Sequence, residues 1–285
     1  MALVKMKGIL DHAEENQYGV GAFSVANMEM VIGAVKAAEE LRSPLILQIA
    51  EVRLKHSPLH LIGPMMVAAA KKAAVPVAVH LDHGLTEETI REALNLGFSS
   101  IMYDGSHHPL EENISVTQKM AAIARSYGAT VEAEIGQVGG SEDGSVDLEV
   151  LITSTEEAKR FANETGIDAL AIAIGNAHGV YKGEPSLRID RLQEINEEVE
   201  IPLVLHGGSG ISQEDFRTCI TQGIRKINVA TSTFNNVVDR VNEDAPFMDY
   251  FTYHEKVIDA AAENVKRHML MFQSNGRVEG GVIHV

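Results

Sequence analysis

The sequence has 285 residues, 45% of them apolar and 22% charged, which gives ample core for one large domain or two smaller ones. A formal net charge of −16 excludes an electrostatic footprint for nucleic acid or for an anionic membrane surface. A single cysteine, Cys219, excludes an internal disulfide and fits a reducing cytoplasm; no apolar run reaches membrane-spanning length, and residues 1–16 hold no apolar core of signal-peptide length.

From residue 18 short apolar strands alternate with amphipathic helices. A strand at 19–25 leads through the cap Asn27 into a helix ending at 42, whose Met30, Val31, Ala34, Val35 and Ala38 recur at helical spacing. Strand 45–50 precedes helix 59–74. Strand 77–82 precedes a helix capped by Thr86 that runs to 96, and strand 99–103 precedes helix 110–127. Strand 130–135 is followed by a glycine-rich acidic interruption, 136–153, and then by helix 155–165. Strand 169–174 pairs with helix 190–197, and strand 203–205 with a helix from the cap Ser212 to 222. Strand 226–229 leads into helix 231–242, and a last helix covers 252–272.

Eight strand–helix pairs, with strands apolar along nearly their whole length, imply parallel strands covered on both faces. The expected architecture is a single (β/α)8 TIM barrel over residues 1–285 with an extra C-terminal helix. An open doubly wound sheet is the alternative, but the Gly-x-Gly-x-x-Gly signature after strand one is missing. The last helix carries an apolar stripe (Val257, Ala261, Val265, Met269, Phe272) suited to packing on the barrel or to a subunit contact.

In such a barrel the active site is built from residues at the C-terminal ends of several strands. Ser24, Asn27, Asp82, His83, Asp104, Ser106, His107, Asn176, His178, His206 and Asn228 all stand at strand ends, and Glu132 and Glu134 lie within strand five. Asp82 beside His83 can be read as a hydrogen-bonded seal of the strand end, as a general acid/base, or as a metal ligand with its neighbour. His83, His178 and His206, from strands three, six and seven, form a set suited to catalytic zinc with an open fourth position. His107 and His108 compete for that role, and His80, deeper in its strand than the mouth, reads as structural.

Two stretches suit an anion. Residues 206–210 (His-Gly-Gly-Ser-Gly) and 228–231 (Asn-Val-Ala-Thr) offer close backbone approach and helix-start N–H groups after strands seven and eight. The interruption after strand five reads either as a solvated acidic loop or as a lid carrying Glu142 or Asp143 over the site.

The motifs HLDHG (80–84), MYDGSH (102–107), VEAEIGQVGGSEDG (131–144), AIAIGNAHGVY (171–181), LVLHGGSGI (203–211) and KINVAT (226–231), taken together, resemble the class II, metal-dependent ketose-bisphosphate aldolases. The likeness is to the tagatose-bisphosphate and shorter fructose-bisphosphate aldolase branch and extends over nearly the whole chain. It implies a catalytic Zn2+ held by His83, His178 and His206, and a second or resting metal position at Asp104 and Glu134. It implies Asp82 as proton donor/acceptor at the C4 oxygen and Glu142 as the mobile-loop carboxylate. It also implies that Gly179, Gly207, Gly208, Ser209, Asn228, Val229, Ala230 and Thr231 bind dihydroxyacetone phosphate, with a monovalent cation nearby. The resemblance further implies a homodimer or homotetramer, in some cases with an accessory subunit, acting on a phosphorylated sugar, and the cysteine usage points to a cytoplasmic location.

The aldehyde half departs from the branch. Residues 50–56 read Ala-Glu-Val-Arg-Leu-Lys-His where a serine near glycines is usual, and 248–254 read Met-Asp-Tyr-Phe-Thr-Tyr-His in place of an Asp-Pro-Arg-Lys stretch. Ser141 stands where an acidic lid residue is common. The alternatives are a class II aldolase for a different phosphorylated or carboxylated ketose; a barrel metallohydrolase, which lacks its His-x-His at strand one; a Schiff-base aldolase, for which Lys226 and Lys182 are badly placed; and a non-catalytic phosphosugar-binding barrel.

Overall fold

Eight parallel strands close on one another in chain order in the computed structural model, which describes residues 2–140, 151–181, 183, 185–244 and 249–279. The strands are β1 (Val20–Ser24), β2 (Leu45–Ala50), β3 (Val77–Gly84), β4 (Ser100–Tyr103), β5 (Thr130–Ile135), β6 (Ala169–Ile172), β7 (Leu203–Leu205) and β8 (Ile224–Val229). The pairing of β8 with β1 (Asn228 opposite Ala22) completes the barrel. Ten helices accompany them among the described residues: α1 (Met6–Asn16), α2 (Met28–Leu41), α3 (Leu59–Lys72), α4 (Glu87–Asn95), α5 (Leu110–Ser126), α6 (Thr155–Thr165), α7 (Ile189–Glu198), α8 (Gln213–Thr221), α9 (Thr231–Asp244) and α10 (Tyr250–Met271). This is the (β/α)8 architecture expected from the alternating pattern, with α10 as the additional C-terminal helix.

Every residue of every strand is buried, because helices cover the outside of the barrel and side chains fill the inside. Alternation along a strand puts every second residue on the same face. His80 and Asp82 on β3, Glu132 and Glu134 on β5, and Lys226 and Asn228 on β8 are such pairs, and their contacts across the barrel place all of them inside it. Polar residues thus enter an otherwise apolar core, where each needs a partner.

Two features differ from the pattern read in the sequence. Helix α1 was absent from that pattern: no side chain caps it at Lys5, so no start signal marks it. Its Met6, Ile9, Leu10 and Ala13 are nevertheless buried, and each larger one contributes roughly 1.5–3 kcal/mol of burial. The segment before it is tied down as well, with Val77 N–H donating to Ala2 O at 2.7 Å and Val4 N–H to Val77 O at 3.0 Å. Strand β8 begins at Ile224 rather than at 226, so Lys226 lies inside the strand and not at its opening.

Helix α10 packs its apolar stripe against α2 and α9, with Val257, Ala261, Val265 and Met269 buried. Gly33 of α2 permits that approach, since a Cβ there would stand 2.5 Å from Ile258 O. Its start is set by Asp249, whose carboxylate accepts the N–H groups of Phe251 and Thr252. Cys219 is buried on α8, and burial pushes its thiol up to about 12, the state of an inert thiol.

Candidate active site

Consecutive strand residues face opposite sides, yet Asp82 and His83 serve one site. The register of β3 against β4 shifts between Leu81 and Gly84, and His83 takes φ +42. That bulge, with its left-handed residue, re-aims the imidazole toward the barrel mouth while Asp82 keeps its place inside. Gly84 follows because the backbone of β4 is too close for a side chain: a Cβ would meet Met102 O at 2.6 Å.

His178 and His206 are joined to His83 by the packing of two loops. Gly207 has φ +65, and a Cβ on it would lie 2.1 Å from Ala177 O, so only glycine lets the turn after β7 close on the turn after β6. Asn176 reinforces the contact by donating to His206 O at 3.0 Å, and Tyr181 Oη donates to Gly207 O at 3.0 Å while accepting from Ala177 N–H. The loop after β5 joins them through His178 N–H donating to Gly139 O at 2.7 Å.

The result is a tight trio. Ring centroids of His83 lie 4.9 Å from His178 and 4.6 Å from His206, with His178 and His206 5.8 Å apart. One ring nitrogen from each falls within 4.8 Å of the others, a spacing one ion can bridge. A second such group shares His83 and adds Asp104 and Glu134. His107 and His108 stack on each other at 4.0 Å and belong to neither group. His80 is fully buried, with Nδ1 2.7 Å from Ser100 Oγ, and burial followed by Lys226 pulls it down to about 3, so it stays neutral.

Carboxylates surround the trio. Asp104 Oδ2 lies 2.6 Å from His83 Nδ1, and its Oδ1 accepts from Ser106 Oγ and N–H. His206 is flanked on both ring nitrogens, by Glu132 at 2.9 Å from Nε2 and by Glu134 at 3.0 Å from Nδ1. Burial and neighbouring His83 oppose its protonation, but the carboxylates of Glu132 and Glu134 on either side outweigh them and lift it to about 9. Burial likewise disfavours charge on His83, and the negative charge of Asp82, then the bond to Asp104, carries it well above the usual imidazole range. Burial, then the two neighbouring imidazoles, hold His178 well below it. Asp82, Glu132 and Glu134 are all buried, and the Lys226 ammonium faces Glu132. A divalent cation among three imidazoles would offset that excess of negative charge, so the donor set fits zinc.

Asp82 is held from both sides, Oδ2 accepting from Gln48 Nε2 at 3.0 Å and Oδ1 from Asn228 Nδ2 at 2.9 Å. A cavity of about 130 Å³ opens beside His83, Asp104, Glu134 and His178, and both apolar (Val52, Leu85, Val138) and polar (Ser106, Gln137) side chains line the rest of its wall.

A sequence model described as "Fructose-bisphosphate aldolase class-II" matches residues 4–277. The chain belongs to that family. It is a class II aldolase, an aldehyde-lyase by family. A fructose-bisphosphate aldolase from Staphylococcus aureus is 38% identical over 286 residues, covering 98% of this chain and all of the relative. A 6-phospho-5-dehydro-2-deoxy-D-gluconate aldolase from Bacillus velezensis is 39% identical over 284 residues, covering 97% and 98% of the two chains. The crystal structure of the YdjI aldolase from Escherichia coli K12 superposes with a TM-score of 0.89 at 35% identity, covering 97% of this chain and 100% of that one.

In this aldolase the two glycine-rich stretches meet. Gly208 N–H donates to Asn228 O at 2.9 Å, and Ser232 N–H donates to Ser209 Oγ at 3.0 Å, which brings the turn after β7 to the start of α9 at Thr231. Val229 and Ala230 are buried beside them. Gly179, at φ +83, has open space where a Cβ would be. Glu142, Asp143 and Ser141 lie outside the described residues, as do Lys182 and Met248. Arg53 stacks over the Phe234 ring at 5.3 Å, which places it between the end of β2 and α9, whereas Lys55 is exposed.

Sequence reading assigned no role to Gln48, Lys226 or Tyr181, and gave Glu132 no partner. Two of them had a signal: Lys226 and Glu132 each stand two positions before a site residue on the same strand, Asn228 and Glu134.

Proposed function

We propose that this protein is a zinc-dependent aldolase that reversibly cleaves a ketose (bis)phosphate to dihydroxyacetone phosphate and an aldehyde. Fructose- or tagatose-1,6-bisphosphate, releasing glyceraldehyde 3-phosphate, is the leading substrate. The carrying observation is the trio His83, His178 and His206 beside a buried carboxylate, Asp82, that is fixed from both sides.

Asp82 takes the proton of the C4 hydroxyl in cleavage and returns it in condensation. Its two amide donors keep it a stationary acceptor, so little reorganisation accompanies the transfer. Breaking the C3–C4 bond leaves an enediolate, and bound zinc supplies Lewis-acid stabilisation of that developing charge. Glu142 serves the C–H proton of dihydroxyacetone phosphate. Gly179, Gly207, Gly208, Ser209 and residues 228–231 clamp the phosphate through backbone N–H groups and the α9 N-terminus, which orients the ketose without touching the reacting bond. The same loops would hold the monovalent cation, and Asp104 with Glu134 a second or resting metal.

A second substrate class, a phosphorylated ketose bearing a carboxylate, is favoured by one observation. The gluconate-derived aldolase from B. velezensis is as similar to this chain as the fructose-bisphosphate aldolase from S. aureus. We read the chain as one barrel domain, working in the cytoplasm as a homodimer or homotetramer, with or without an accessory subunit. The single cysteine supports the compartment, and no helix among the described residues is long and apolar enough to cross a membrane.

The deciding experiment is retro-aldol cleavage with coupled detection of dihydroxyacetone phosphate, before and after chelation and zinc return. The panel holds both bisphosphates, ketose 1-phosphates and a carboxylated phosphoketose. Chelator-sensitive, zinc-restored release is expected, and the fastest ketose identifies the aldehyde half. No release from any member by zinc-loaded protein would overturn the reading.

A further inference from the structure

Lys226 is a fully buried ammonium deep inside a barrel whose chemistry, as described, makes no use of it. Its Nζ sits 3.0 Å from Oε1 and 2.8 Å from Oε2 of Glu132, so it grips both oxygens of that carboxylate. As packing this is poor value, since an apolar pair of similar volume would stabilise the core as well or better. The contact continues, however. Glu132 Oε1 is also 2.9 Å from His206 Nε2, which makes a chain from β8 through β5 to the end of β7.

We propose that Lys226 is a positioning residue of the metal centre, acting through Glu132 to fix the orientation and tautomer of His206. A carboxylate acceptor at Nε2 requires the ring proton there, which leaves Nδ1, whose 3.0 Å approach to Glu134 Oε2 lacks hydrogen-bond geometry, as the nitrogen with a lone pair to give. Two contacts from Lys226 prevent Glu132 from turning. The alternative partner is close: His80 Nε2 stands 3.6 Å from Glu132 Oε2, and His80 is itself pinned by Ser100 at 2.7 Å. Without the ammonium, Glu132 can rotate toward His80, and His206 loses the bond that sets its ring. The inference rests on the reading that His83, His178 and His206 hold zinc.

The test compares wild type, Lys226→Met, Glu132→Gln and the double variant. Zinc content, competition for zinc with a chromogenic chelator, the visible spectrum of the Co2+-loaded protein and a thermal melt are measured for each. Each single variant is expected to weaken zinc binding about 10–100-fold and to shift the Co2+ spectrum. The double variant should be no weaker than the weaker single, because the two residues act in series. A folded Lys226→Met protein with wild-type zinc affinity and Co2+ spectrum, lowered only in its melting temperature, overturns the proposal. Should Lys226→Met fail to fold, 15N-histidine NMR of the zinc-loaded wild type decides, with His206 assigned by difference from His206→Gln. A proton on Nε2 and a metal-shifted Nδ1 are expected, and the reverse overturns it. Wild type that binds no zinc overturns the zinc reading as well, whereas zinc-binding wild type with an unaffected Lys226→Met overturns the positioning role alone.

Discussion

His83 Nδ1 and Asp104 Oδ2 lie 2.6 Å apart, a bond between the end of β3 and the end of β4 that sets the plane of the first imidazole of the trio. Asp104 is steadied in turn by Ser106, whose hydroxyl donates to its other oxygen at 2.7 Å. Orienting partners of this kind are typically worth 10–100-fold in metal affinity. Asp104→Asn is therefore expected to weaken zinc binding by that range while the fold is retained. Chelator competition checks the affinity and circular dichroism the fold; unchanged affinity would refute the assignment of this bond.

Asp82 has a different signature. It is buried and receives amide N–H groups on both oxygens, yet it is not a member of either group within reach of one ion. Asp82→Ala should lower kcat by about 10²–10⁴-fold, the range for loss of a positioned acid/base, with zinc content unchanged. Steady-state turnover on the preferred ketose, run beside metal analysis of the same sample, separates the two effects. A loss of zinc equal to the loss of turnover would make Asp82 a ligand instead.

The barrel was legible in the sequence because both faces of every strand are buried, which writes the strands as short apolar runs between amphipathic helices. The strand ends were legible for a related reason: Asp82, His83, His178 and His206 interrupt apolar text. Glu132 and Lys226 were not, because their pairing exists only once the barrel has closed and brought β5 and β8 within 3 Å, and Gln48 was not, because its partner Asp82 stands on the neighbouring strand, 34 residues further along the chain. Helix α1 escaped notice because its stability comes from docking under the barrel and not from any local cap.

Gly207 tests whether loop packing holds the trio together. Gly207→Ala places a methyl group 2.1 Å from Ala177 O at φ +65, so either the backbone or the loop must move. Backbone strain of this kind costs on the order of 1–3 kcal/mol, and separating the two turns pulls His206 from His178. The expected outcome is a lower melting temperature together with weaker zinc binding. A variant with both properties of the wild type would show that the turns after β6 and β7 need no such contact.

His268 provides a pH test away from the site. It is buried on α10, with Nδ1 2.8 Å from Asn264 O, and burial lowers it from 6.5 to about 4. The folded protein therefore keeps this imidazole neutral where the unfolded chain has already taken up a proton. Its contribution is fully present above pH 6.5 and is lost as the pH falls from there to about 4. The shift is equivalent to about 3 kcal/mol in all. Urea unfolding of the metal-free protein at pH 7.5 and pH 5 should show the wild type losing more stability on acidification than His268→Gln by roughly 2 kcal/mol. Equal losses in the two proteins would mean that His268 takes up its proton in the folded state as readily as in the unfolded chain.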